Sequence, residues 1–221
     1  MTTEHTFKAG SEGPDAPLII LMDMAEHPSH VMGEQETPHL RANLASFPVH
    51  DWDDELTPWL APGLYHGDAD FEGLASRTYE RVMGPFLDGV EAAHGLQPRS
   101  VALAGFSLAG LFSLHSFMTD TRLAAAASLS GSVWYEGWPD YLAGCTTPMA
   151  GRFAYLSIGT KERLASPEIL HAVEDRTRLT AETLRRLGAE VEFRTGPGSH
   201  LQHVDERITA GLEALDAFLA G

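Results

Sequence analysis

Apolar residues in this chain follow two spacings. Continuous short runs, bounded by glycine, proline or polar clusters, occupy residues 17–24 (PLIILMDM), 101–104 (VALA), 123–129 (LAAAASL) and 152–158 (RFAYLSI). Such runs, without polar alternation, are what strands buried on both faces of a sheet show. Shorter segments at 47–50 and 190–194 read as two more strands. Elsewhere the apolar positions recur every three to four residues, the spacing of a helix with one buried face. Residues 73–94 carry Leu74, Tyr79, Val82, Met83, Phe86, Leu87 and Val90 in this way, and the last segment carries Val204, Ile208, Leu212, Leu215 and Phe218. Gly84-Pro85 predicts a kink in the first of these helices, which Gly95 ends. Residues 167–187 predict another long helix. Residues 37–47 predict a shorter one, with Thr37 as N-cap, Pro38 in its first turn and Leu40, Leu44 and Phe47 on one face. Strands alternating with helices predict a single α/β domain over 1–221, with a mostly parallel, doubly wound sheet flanked by helices. Residues 1–16 read as an edge strand or a lead-in loop.

Charge and composition remove several function classes. The chain has 31 acidic against 15 basic residues and a formal net charge of −16. Nucleic acid and anionic membrane are poor partners for that balance, because phosphate binding needs clustered cations. A neutral or cationic small molecule suits it better. No apolar run reaches the roughly 18 residues of a membrane span. The opening MTTEHTFKAGSEGPDAP is polar and acidic, unlike a signal peptide, and the single Cys145 has no disulfide partner. A cytoplasmic location is the expectation. No cofactor motif is evident. Eleven histidines lack metal-ligand spacing, and Asp51, Asp53, Asp54 and Glu55 lack the glycine position of a calcium loop. No metal is expected.

The chemistry centres on residues 100–113, SVALAGFSLAGLFS: an apolar strand, a tight turn, and a helix that begins at once. A serine at that junction, between small residues, has the steric form of a nucleophile elbow. Ser107 must take a strained backbone, which brings Gly105 and Ala109 close together and requires both to be small. The simpler alternative is a glycine turn with Ser107 as an ordinary N-cap. An acid and a histidine follow at later strand ends: Glu162 in GTKE, and His200 in the loop GPGSH. His200 would take the Ser107 proton and the acid would orient the imidazole. His203 is the rival base, and Glu168, Glu174 and Asp175 are rival acids. The backbone N–H groups of Leu108 and Met24 are the expected oxyanion donors. Trp52 and Trp59, in the aromatic loop DWDDELTPWLAPGLYHGDADFEG, and Trp134 are expected pocket residues, Trp134 serving equally well as core.

Four ordered motifs, AGFSLAGLFSLHSF, SLSGSVWYEGW, LSIGTKE and GPGSHLQHVDERITAGLEAL, together with the LTPW of the aromatic loop, carry a family resemblance. From Pro17 onward the chain resembles the branch of the α/β-hydrolases that holds esterase D-like enzymes and siderophore trilactone esterases. The resemblance implies serine ester hydrolysis, with Ser107 as nucleophile, His200 as base, Glu162 as acid and no cofactor. The substrate would be a small-molecule carboxylic ester, thioester or lactone. Ala109 stands where glycine is usual, and the Arg-containing segment of siderophore esterases is not evident near Asp51. The chain leaves no room for a large cap, so a shallow pocket is expected. A non-catalytic ligand-binding protein on the same fold, or an amidase with the same residues, are the alternatives.

Overall fold

The computed structural model describes residues 5–33 and 38–221. Its sheet has seven strands: β1 (Phe7–Lys8), β2 (Leu18–Met24), β3 (Asn43–Val49), β4 (Val101–Phe106), β5 (Leu123–Leu129), β6 (Phe153–Gly159) and β7 (Glu190–Gly196). Their order across the sheet is β1-β3-β2-β4-β5-β6-β7. All neighbours run parallel except β1, which pairs antiparallel with β3 at the edge. The fold class expected from the alternation of strands and helices is the one observed.

Helices cover both faces. They are α1 (Trp52–Glu55), α2 (Ala75–Arg81), α3 (Leu87–His94), α4 (Leu108–Thr119), α5 (Trp138–Gly144), α6 (Val173–Arg186) and α7 (Val204–Leu219). Within β2, Leu18, Ile20 and Met22 join the core with α3, α4 and α6, while Ile19 and Leu21 join the core with α7. That two-sided burial is why the strand reads as unbroken apolar sequence. None of the described helices is long and apolar enough to cross a membrane.

Two expected elements differ. The helix expected over 37–47 is not formed: 38–42 is irregular and 43–49 is β3, whereas Thr37 lies outside the described residues. The 40/44/47 spacing fits a helix, yet Leu44 and Phe47 are buried on opposite faces of the sheet. Pairing with β1 and β2 on both sides overrides the local preference. The helix expected over 167–187 begins instead as a 3-10 turn, Glu168–Ala172, before α6. The expected kink is present: a π turn over Val82–Phe86 separates α2 from α3, with Gly84 at φ −121° and ψ −107°.

On α4, His115 lies edge-on to Trp59 and tilted against Tyr141, with ring centroids 6.0 and 5.2 Å away. Burial alone lowers its pKa from 6.5 to about 4. The folded chain therefore takes this proton only below about 4, while the unfolded chain takes it from 6.5 downward. Stability is unaffected above 6.5 and falls between those values, by up to about 3 kcal/mol at 1.36 kcal/mol per unit. Melting curves from pH 7 to 4.5 are expected to slope less steeply for His115→Leu than for the parent. Parallel slopes would refute this.

Candidate active site

At the end of β4 the chain turns into α4 through Ser107, whose backbone lies at φ 58° and ψ −122°. A non-glycine residue rarely takes this conformation, and surrounding bonds must hold it there. The Ser107 N–H donates to Leu129 O at 3.0 Å, and its carbonyl accepts from the N–H groups of Gly110, Leu111 and Ser132. A Cβ on Gly105 would stand 2.4 Å from the backbone of Ala109 and 2.6 Å from its side chain. The close approach demanded by the elbow is thus present, and Ala109 fits it. Gly105→Ala is expected to lower stability by about 3 kcal/mol or to prevent soluble expression. A thermal melt of the variant checks this; an unshifted midpoint would show that the turn can open.

Three loops at the carboxyl ends of β4, β6 and β7 bring three side chains together. His200 Nε2 lies 3.0 Å from Ser107 Oγ, and His200 Nδ1 lies 2.9 Å from Glu162 Oε2. The Phe106 ring lies against the imidazole at 4.8 Å between centroids. Glu162 is 3 % exposed. Burial acts to raise its pKa, but the His200 hydrogen bond, the Gly159 N–H, the His200 charge and the Ser130 hydroxyl outweigh it. The carboxyl is held below its ordinary value. Ser107 opens on a cleft of about 440 Å³ walled by Leu64, Phe71, Trp134, Leu170 and Val173, with Trp52, Asp53, Tyr65 and Asp68 also lining it. Asp53 is raised from the ordinary carboxylate value by partial burial and then by the charges of Asp51, Asp54 and Asp68.

No family model matches the chain, and no curated protein matches it in sequence. Solved structures do match. The siderophore hydrolase EstA from Aspergillus nidulans aligns with a TM-score of 0.69 over 94% of this chain and 84% of its own, at 17% identity. An IroE-like serine hydrolase from Shewanella oneidensis gives a TM-score of 0.74 over 96% and 75%, at 15% identity. A Bacillus cereus carboxylesterase gives 0.62 over 97% and 94%, at 16% identity. The fold is that of the α/β-hydrolases.

In open α/β sheets ligands as a rule bind in the crevice beyond the carboxyl ends of the strands, and Ser107, Leu108, Glu162 and His200 all line a cleft at that end of the sheet. The Leu108 N–H, first in α4, has no acceptor within the helix. Met24 is not brought to the cleft. Its N–H donates to Asp23 Oδ1 at 3.0 Å, and Asp23 also takes the Ser29 N–H and hydroxyl. That buried carboxylate captures the amide expected to face an oxyanion. Trp59 is likewise absent from the cleft. Its indole N–H donates to Glu136 O at 2.8 Å, and its ring packs among Tyr135, Trp138 and Tyr141. Trp134 is at once wall and core, being 9 % exposed and packed on Phe71. Trp52 is among the residues that line the cleft.

Two of the rivals, His203 and Glu174, are paired elsewhere. His203 pairs with Glu206 at 3.2 Å, Glu174 pairs with Arg178 at 2.8 Å, and Cys145 is not among the cleft residues. Among the described residues no cluster of three or more His, Cys, Asp or Glu could hold a metal ion.

Three further residues, whose role no sequence motif marks, complete the surroundings of the site. Ser130, at φ 50°, donates its hydroxyl to Glu162 Oε1 at 2.7 Å. Ser132 Oγ lies 3.3 Å from Ser107 Oγ. Arg207 of α7 is 7 % exposed; its Nη1 reaches Ser130 Oγ at 2.9 Å, and both Glu162 Oε1 and the His200 carbonyl at 3.2 Å. Its Nη2 holds the Pro197 and Ser199 carbonyls. One signal was available: Arg207 falls on the inward stripe of α7 between Val204 and Ile208, where a charge needs a buried partner.

Proposed function

We propose that this protein is a serine hydrolase that cleaves a small-molecule carboxylic ester through an acyl-enzyme on Ser107. The observation that carries the reading is the continuous relay from Ser107 Oγ through His200 to Glu162, with contacts of 3.0 and 2.9 Å, open to a cleft. Glu162 accepts the Nδ1 proton of His200, which leaves Nε2 as the acceptor for the Ser107 hydroxyl. Oγ attacks the acyl carbon as its proton passes to Nε2. The tetrahedral intermediate collapses, the bond to the alcohol oxygen breaks, and His200 returns the proton to that oxygen. Water then adds to the acyl carbon by the same route, and Ser107 leaves with its proton restored. The Leu108 N–H, at the start of α4, stabilises the oxyanion.

The neighbouring structures support this reading by name, since they include a serine hydrolase and a carboxylesterase. The cleft walls are apolar around Leu64, Phe71 and Trp134, which suits an apolar acyl group. Asp53 and Asp68 at the cleft, with no Lys or Arg among the described residues that line it, favour a neutral or cationic ester over a polyanionic one. Siderophore hydrolases also occur among the neighbours, but a catecholate trilactone would bring anionic groups against those two carboxylates.

The test is intact mass after incubation with a fluorophosphonate. One adduct on the parent and none on Ser107→Ala is the expected result. An unmodified, folded parent would reject an activated serine and leave ligand binding without turnover.

A further inference from the structure

Among the described residues the hydroxyl of Ser132 has one hydrogen-bond partner, the oxygen of Ser107, 3.3 Å away. It is held there firmly. Ser132 is 1 % exposed, and its own N–H donates to the Ser107 carbonyl at 3.0 Å. The preceding Gly131 lies against the Ser128 hydroxyl, which a Cβ would meet at 2.1 Å, so the turn cannot shift inward. The direction of the bond follows from proton counting. Glu162 fixes the His200 proton on Nδ1, so Nε2 accepts the single proton of Ser107. Ser107 Oγ has nothing left to donate, and Ser132 must be the donor.

We propose that Ser132 is a further catalytic group that donates its hydroxyl to Ser107 Oγ as that oxygen leaves the acyl carbon in deacylation. This rests on Ser107 being the nucleophile. In the acyl-enzyme, Oγ is the bridging oxygen of an ester and a poor acceptor, so the Ser132 bond is weakened. Water adds, its proton passes to His200, and the Oγ–carbon bond then breaks with its electron pair left on Oγ. His200 delivers its proton to Oγ, while Ser132 keeps its own and stabilises the charge that builds there. Only an interaction stronger in the transition state than in the preceding ground state speeds a step. For deacylation, the bond is regained from a state that lacked it. For acylation, it already exists in the free enzyme, so less is gained. At 3.3 Å the resting contact is long for a hydroxyl pair, and it shortens as charge develops.

The experiment is pre-steady-state hydrolysis of p-nitrophenyl acetate by the parent, Ser132→Ala and Ser132→Thr, with acetyl-enzyme followed by intact mass. Loss of one donor to a developing oxyanion is expected to slow deacylation of Ser132→Ala by about ten- to a hundredfold. Acylation is expected to fall by about threefold or less, since its ground state already holds the bond. Acetyl-enzyme then accumulates on Ser107, and Ser132→Thr, which keeps the hydroxyl, recovers most of the lost rate. Both constants come from one progress curve normalised to burst amplitude, so a partly misfolded sample does not alter their ratio. Equal losses in both steps, or none, would overturn the proposal. A parent that forms no adduct on Ser107 would overturn the nucleophile reading and this inference with it. An active parent whose Ser132 variants keep the same ratio would overturn this inference alone.

Discussion

Ser107→Ala is expected to lower kcat/KM for a p-nitrophenyl ester by on the order of 10⁵-fold or more, because members of such a relay act as a unit. The side chain it removes is the atom that bonds to the acyl carbon, and no other nucleophile stands at the same place. Cys145 is outside the cleft, and burial raises its thiol above the ordinary value. Ser132 is 3.3 Å away, but its oxygen is not the one at His200 Nε2. The backbone bonds that hold the elbow use the Ser107 N–H and carbonyl, which alanine keeps. The melting temperature should therefore change little while the rate collapses. Steady-state kinetics beside a thermal melt checks both. A variant retaining a tenth of the parent rate would refute the assignment.

Glu162→Gln is expected to lower kcat by on the order of 10³–10⁴-fold, the effect of losing the group that fixes the imidazole tautomer. Unlike Ser107→Ala, it should also lower stability. Glu162 Oε1 faces the Arg207 guanidinium at 3.2 Å, with both side chains almost fully buried. Leaving one partner of such a pair uncompensated costs about 3–5 kcal/mol. An amide cannot satisfy both sides. If its oxygen turns to His200, its NH₂ meets Arg207; if its NH₂ turns to His200, the imidazole adopts the wrong tautomer. The acid side of the pH profile follows from the same group. The folded carboxyl lies below its ordinary value of 4.5. Its contribution to stability is complete above 4.5 and is lost as the pH falls through the lower folded value. Melts at pH 7 and pH 4 should differ more for the parent than for Glu162→Gln. Near-parent rates in the variant would move the acid role elsewhere.

What the sequence made legible follows from how each element is stabilised. The central strands were readable because both of their faces are buried, and unbroken apolar runs such as LIILMDM are the direct trace of that. The elbow was readable because its steric demand falls on two neighbouring positions, Gly105 and Ala109. His200 and Glu162 were readable because the loops holding them begin where apolar strands end. The segment 37–47 was not, because Leu40, Leu44 and Phe47 fit a helical spacing as well as a strand covered on both faces. Only pairing to β1 and β2 decides between them. Met24 was misplaced because no local signal tells that the Asp23 carboxylate takes its N–H. Ser130 and Ser132 stood inside a quoted motif, SLSGSVWYEGW, with nothing to say that one meets the acid and the other the nucleophile. Their role depends on a contact with loops 25 to 32 residues distant in sequence.

Arg207 ties the assembly of this site to the docking of α7. The guanidinium that touches Glu162, Ser130 and the carbonyls of residues 197, 199 and 200 belongs to α7, whose Ile208, Leu212 and Leu215 are buried in one of the two cores. A refolding intermediate with strands β2 to β6 formed but α7 undocked would keep the elbow turn and leave the histidine loop without its anchor. Recovery of fluorophosphonate reactivity would then lag behind hydrophobic collapse and keep pace with the docking of the last helix. The reactivity of the serine hydroxyl would thus report whether α7 is docked.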